Sequence, residues 1–203
     1  MNIEQIPVAD IDVGERLRAV DPDWAALIAA SMQENGQRAP IEVRKVGKSG
    51  KYALISGGHR LAAMKMAGID HAAAIIVKAS DLEAKLLEID ENLCRRELSP
   101  LDKATFLAER KAVYEEMHPE TKHGAATKSD KVDKLVHFMP SFTEATAEKL
   151  GMDARSIRRS VTRFTHIVPD VRKKITGTWL ADSGLQLDEL AKQEPDMQRQ
   201  IAD

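Results

Sequence analysis

Residues 141–165 read SFTEATAEKLGMDARSIRRSVTRFT. Ser141 and Glu144 stand at capping-box spacing, so a helix begins there. Ala147 and Leu150 fall on its inner side. Gly151 follows where a tight turn wants positive φ, and Asp153 can cap a second helix. In that helix Ile157, Val161 and Phe164 recur at i, i+4 and i+7, one buried stripe. The opposite side carries the candidate DNA contacts Arg155, Ser156, Arg158, Arg159, Thr162 and Arg163. Ala147 lets the helices approach, Gly151 makes the turn and Ile157 packs between them. This is the spacing of a helix-turn-helix at about 141–165, whose second helix enters the major groove. There arginine reads guanine edges or holds phosphates. A generic helical hairpin with a solvated basic face is the competing reading.

Charge around this segment is uneven. From Lys149 to Lys174 there are eight Lys or Arg against two acids, although the 203-residue chain has a formal net charge of −2. From Asp182 to Asp203 six acids face Lys192 and Arg199. Local rather than net charge steers a polyanion. Aromatics make up 4% of the chain, too few for a single-strand stacking platform. The one cysteine, Cys94, excludes an internal disulfide and a Cys-rich zinc site. No apolar run approaches the roughly 18 residues a membrane helix needs. A cytoplasmic, nucleoid-associated protein is therefore expected, without a membrane partner.

Upstream, strand and helix signals alternate. Ile3 to Ile11 reads as a strand. Asp21-Pro22 opens a helix whose Trp24, Leu27, Ile28 and Met32 form one apolar face, ended by Gly36. Ile41 to Val46 and Tyr52 to Ile55 are strands joined by a Gly-Lys-Ser-Gly turn. A helix Leu61–Ala67, a strand Ala73–Val77 and a helix from Ser80 to about Leu93 complete an α/β unit. Beyond Ser99-Pro100 the pattern is helical: one helix runs to about Met117, a polar loop spans 119–130, and short helices reach Ala202. Trp179 is expected to pack among them. The fold class is α+β: a small mixed α/β domain at 1–98, then an all-helical domain at 99–203.

Strand Tyr52–Ile55 runs into Ser56-Gly57-Gly58-His59-Arg60 and then a helix. Two glycines there let backbone N–H groups converge at a helix N-terminus, which suits phosphate, and Arg60 can add a bidentate contact. Glu91, Asn92 and Arg95 place an acid, an amide and a cation close together near a helix end, a set able to serve Mg²⁺ and a triphosphate. A tight structural turn and a solvated helix end are the alternatives. His118, His123 and His137 read as solvated loop residues, and Lys122, Lys128, Lys131 and Lys134 as solvated loop residues or contacts to backbone phosphates.

These segments resemble the ParB/Spo0J partition-protein family. Gly36-Gln37-Arg38-Ala39-Pro40-Ile41-Glu42-Val43-Arg44 is similar to its first box. Gly57-Gly58-His59-Arg60 stands where the family has Gly-Glu-Arg-Arg. Glu91-Asn92-Leu93-Cys94-Arg95, followed by Leu98-Ser99-Pro100, resembles its third box, with Cys94 in place of Gln. The resemblance implies a ParB/sulfiredoxin-like N-terminal domain and a sequence-specific DNA clamp, closed by CTP with Mg²⁺, in plasmid, phage or chromosome segregation. By that resemblance Gly57, Gly58, His59 and Arg60 hold phosphates, and Arg16 and Arg18 line the base pocket. Asn92 and Glu91 serve the metal, and Arg95 contacts phosphate or couples the domains. Glu91 would be the catalytic residue of a weak CTPase. The implied partners are duplex DNA, a second copy of the chain and a ParA-type ATPase. Family members meet that ATPase through an N-terminal extension, whereas here the fold starts at Ile3. A nucleotide-dependent enzyme of the same fold (a small-molecule kinase or nuclease) and a transcription regulator without nucleotide switching remain open. A sulfiredoxin-like repair role lacks its nucleophile, since no cysteine stands in the Gly57–Arg60 turn.

Overall fold

The computed structural model describes residues 2–14, 16, 20–95, 98–121 and 140–203. It divides into two compact units, Met1–Glu88 and Ile89–Asp203.

The first unit is mixed α/β. Its strands are β1 (Ile3–Pro7), β2 (Ile11–Asp12), β3 (Ile41–Val46), β4 (Lys51–Ser56) and β5 (His71–Ile76), and its helices α1 (Pro22–Asn35), α2 (Gly58–Ala67) and the start of α3 (Asp81–Leu93). The sheet runs β1-β5-β3-β4-β2. β1 lies antiparallel to β5 and β3 antiparallel to β4, while β3–β5 and β2–β4 are parallel. The stretch read as one strand from Ile3 to Ile11 is split: a 3₁₀ turn at Val8–Asp10 follows Pro7. Proline has no N–H to extend a ladder, so the chain leaves β5, and after the turn Ile11 and Asp12 pair with β4. Ile6, Ile41, Val43, Leu61 and Met64 are buried between sheet and helices.

α1 corrects an expectation. Its buried positions are Ala25, Ala29 and Met32, whereas Trp24 and Leu27 are 55% and 63% exposed. The face that packs on α2 is thus turned about one residue, roughly 100°, from the one marked by the bulkiest side chains. Alanines let the two helices lie close, and bulk alone does not reveal that.

Among the described residues the second unit is wholly helical: the end of α3, α4 (Pro100–Met117), α5 (Phe142–Leu150), α6 (Ala154–His166), α7 (Pro169–Ile175), α8 (Gly184–Leu190) and α9 (Pro195–Ile201). Ser99 caps α4 by accepting from Asp102 N–H, and Pro100 sits in its first turn. Leu107, Tyr114, Phe142 and Ile157 form one core cluster. Leu101, Ile167, Val171, Ile175, Leu187 and Leu190 build another. Trp179 is not part of it, being 72% exposed: Leu180 and Ala181 take the buried positions in that turn. His123, His137, Lys122, Lys128, Lys131 and Lys134 lie outside the described residues.

Candidate nucleic-acid interface and phosphate-binding turn

The interface is assembled from α5 and α6. Ser141 Oγ accepts from Glu144 N–H, and the Glu144 carboxylate accepts from Ser141 N–H at 2.9 Å, a complete capping box. The Ser141 hydroxyl and amide hold the Glu144 carboxyl below its ordinary pKa. Gly151 ends α5 in the left-handed region at φ 62°, and Asp153 Oδ2 accepts from Ser156 N–H at 2.8 Å to start α6. That bond pulls the Asp153 pKa down. Thr146 and Ile157 are fully buried between the helices, while Ala147 lies at the margin.

Arg155, Ser156, Arg158, Arg159 and Thr162 are exposed on the outer side of α6. Arg163 is not. Its side chain is buried, with Nε 2.6 Å from Asp188 Oδ1 and Nη2 3.0 Å from Oδ2. The buried face of α6 runs Ile157, Ser160, Arg163, and a cation on that face needs an acid. The expectation that Arg163 points outward is corrected on this geometry.

The glycine turn forms the first turn of α2, which begins at Gly58, three residues earlier than its apolar periodicity suggests. Gly57 has φ 103°, and a Cβ there would stand 2.7 Å from Ile41 Cγ2. Only glycine fits, for conformation and for space. The first α2 amide to bond backward is Leu61 N–H, to Gly57 O at 2.9 Å. The amides of Gly58, His59 and Arg60 therefore fall at the positive end of the helix dipole, where an anion is favoured. His59 Nε2 accepts from Asp21 N–H at 3.0 Å, and Arg60 Nη1 donates to the Pro40 carbonyl.

Arg16 is spoken for. Its guanidinium donates to the carbonyls of Leu54 and Ile55 at 3.2 and 3.1 Å, and its Nε is 3.1 Å from Glu88. It borders a cleft of about 310 Å³ shared with Asp12, Arg44, Asp81 and Lys85. Arg18 lies outside the described residues. In the second unit, Arg95 Nη2 grips both oxygens of Glu91, at 2.8 and 3.1 Å, and Asn92 is 4% exposed. Among the described residues no three His, Cys, Asp or Glu side chains come together to hold a metal. Glu91 and Asn92 alone do not make a metal centre. A Mg²⁺ ion there would need phosphate oxygens to complete its shell.

Sequence reasoning missed a buried charge cluster beside that segment. Arg110, 2% exposed, donates from Nε to Asp90 at 2.7 Å and also bonds Thr146 Oγ1. Lys149 Nζ is 3.1 Å from the other Asp90 oxygen. The signal was available: Arg110 interrupts the buried stripe Leu107, Val113, Tyr114 of α4, and a cation in a core position requires a partner.

Residues 1–93 match the family described as ParB N-terminal domain. A probable chromosome-partitioning protein ParB of Pseudomonas putida is 31% identical over 107 residues, 52% of this chain and 37% of that protein. The chain thus matches little more than a third of such a relative. A solved Caulobacter crescentus ParB, C-terminally truncated and complexed to the centromeric parS site, has 16% identity and a TM-score of 0.58, covering 98% of this chain and 91% of the other. A Pnob8-like ParB-N domain structure has 15% identity and a TM-score of 0.63, covering 99% and 88%. At these identities the structures speak for the fold. No described helix is long and apolar enough to cross a membrane.

Proposed function

We propose that this chain, whose residues 1–93 match the ParB N-terminal domain family, is a ParB-type partition protein and that it binds duplex DNA through α6. The observation that carries the reading is the outer face of that helix. Arg155, Ser156, Arg158, Arg159 and Thr162 stand exposed on one element that two capped helices and a glycine turn hold in place. Such a helix end delivers three or four side chains to base edges and phosphates. A dimer reading a palindromic site suits the family and this architecture. A ParA-type partner is a further expectation of family membership.

The second element is nucleotide binding at the α2 N-terminus. Gly57, Gly58, His59 and Arg60 supply backbone N–H groups and a cation for a triphosphate, with CTP as the ligand the family resemblance favours. By the same resemblance, Asn92 and Glu91 in the second unit are the candidate residues for Mg²⁺ and Arg95 for a phosphate contact.

The test of DNA binding is fluorescence anisotropy with a duplex selected from random sequence against a scrambled control. Arg158→Ala should weaken binding to the selected duplex by about 1–3 kcal/mol if that arginine reads a base. Equal affinity of the wild type for selected and scrambled duplexes would sink the sequence-specific reading. For the nucleotide, fluorescent CTP with Mg²⁺ should bind the wild type and fail to bind Arg60→Ala. Failure of every nucleoside triphosphate to bind would remove the switch and leave DNA binding standing.

A further inference from the structure

One acid lies against the arginine-bearing helix. Asp188 of α8 accepts from Arg163 through both oxygens, at 2.6 and 3.0 Å, and its Oδ2 is also 3.6 Å from Arg159 Nε. Arg163 is 11% exposed in its side chain and Asp188 21%, whereas Arg159 is 55% exposed. A buried arginine therefore fixes the carboxylate, and the carboxylate in turn touches an arginine on the outer face. Arg163 holds the Asp188 carboxyl below its ordinary pKa, first through their hydrogen bond.

A second observation shows that the arrangement is built. A Cβ on Gly184, the first residue of α8, would stand 3.0 Å from Arg163 Nη2 and 3.3 Å from Nη1. The absent side chain makes room for the guanidinium that holds Asp188.

We propose that Asp188 is a specificity-determining positioning residue of the DNA interface: fixed by Arg163 over Gly184, it restrains Arg159 and penalises contacts that pull Arg159 away. This rests on the reading that α6 binds duplex DNA. An unrestrained surface arginine follows any nearby phosphate. Here, Arg159 leaving for a misplaced phosphate exposes a fixed carboxylate beside a polyanion. A site that engages Arg159 in its held position avoids that repulsion. Selectivity of this kind comes from an unfavourable element built against the wrong partner.

The test compares two charge-equivalent variants. Asp188→Asn removes the restraint. Glu189→Gln removes the neighbouring negative charge, which pairs with Lys192 in the turn after α8. Kd is measured for the duplex selected with the wild type and for its scrambled control. Asp188→Asn should tighten binding to the scrambled duplex and lower the selected-to-scrambled ratio by about tenfold, a usual size for coupled neighbours. Glu189→Gln should leave the ratio within about twofold. Gly184→Ala, which crowds the Arg163 guanidinium and keeps the charge, should move the ratio in the same direction as Asp188→Asn by a smaller factor. In the Asp188→Asn background, Arg159→Ala should no longer alter the ratio. Thermal melts check that each variant is folded. Equal ratios for Asp188→Asn and Glu189→Gln overturn the proposal and leave DNA binding intact. No duplex binding by the wild type overturns both.

Discussion

At the scale of single residues, two positions concentrate the demands of the fold. Gly57 combines φ 103° with a Cβ position 2.7 Å from Ile41 Cγ2. Gly57→Ala should destabilise the first unit by about 1–3 kcal/mol, from strain plus displacement of Ile41, read as a lowered urea midpoint. A loss below about 0.5 kcal/mol would mean the turn relaxes freely. Arg110 is the other. Its guanidinium is buried against Asp90 and Thr146, so Arg110→Met should cost about 3 kcal/mol by leaving the buried Asp90 carboxylate with only the half-exposed Lys149 as counter-charge. Asp90→Asn in the same chain should recover part of that loss. If it deepens the loss instead, the carboxylate is not what Arg110 neutralises. Gly57 was legible in the sequence as a turn glycine. The Asp90–Arg110 pair was not, because the two residues are 20 apart and only helix packing brings them together.

At the scale of elements, the caps govern α5 and α6. Glu144 and Asp153 both sit below their ordinary pKa through cap hydrogen bonds. A carboxyl depressed in the folded state contributes stability that is fully present above its unfolded pKa and is lost as pH falls through the folded value. Acidification below the ordinary carboxylate range should therefore reduce helical circular dichroism from these two helices while leaving it unchanged at neutral pH. Ser141→Ala should lower stability by about 1 kcal/mol at pH 7 and flatten that acid dependence. An unaltered acid transition in Ser141→Ala would exclude the α5 cap as its source. The caps were readable from local spacing, as was Gly151. The face each helix buries was less so. The bulky stripe Trp24, Leu27 misled on α1, and on α6 the outward set included Arg163, because the acid that draws it inward sits 25 residues later in α8.

At the scale of the molecule, a chain of formal net charge −2 is proposed to bind a polyanion through one basic helix. Affinity for duplex should then fall linearly with salt on logarithmic axes, with a slope of about −0.9 per phosphate contact. Arg155→Ala should make the slope shallower by about one if that arginine meets phosphate, checked by anisotropy across a salt series. A slope unchanged within error would move Arg155 off the phosphate backbone. Local order along the chain already specified the mixed α/β domain, the helical remainder, the capped helices flanking Gly151 and the glycine turn before α2. These depend on periodicity, caps and φ preferences that act over a few residues. Three-dimensional packing alone decided that Arg16 lies on β4 carbonyls beside Glu88, and that Arg163 turns from the outer face of α6 to Asp188. A buried charge goes where its counter-charge is, and sequence distance carries no record of which acid that will be.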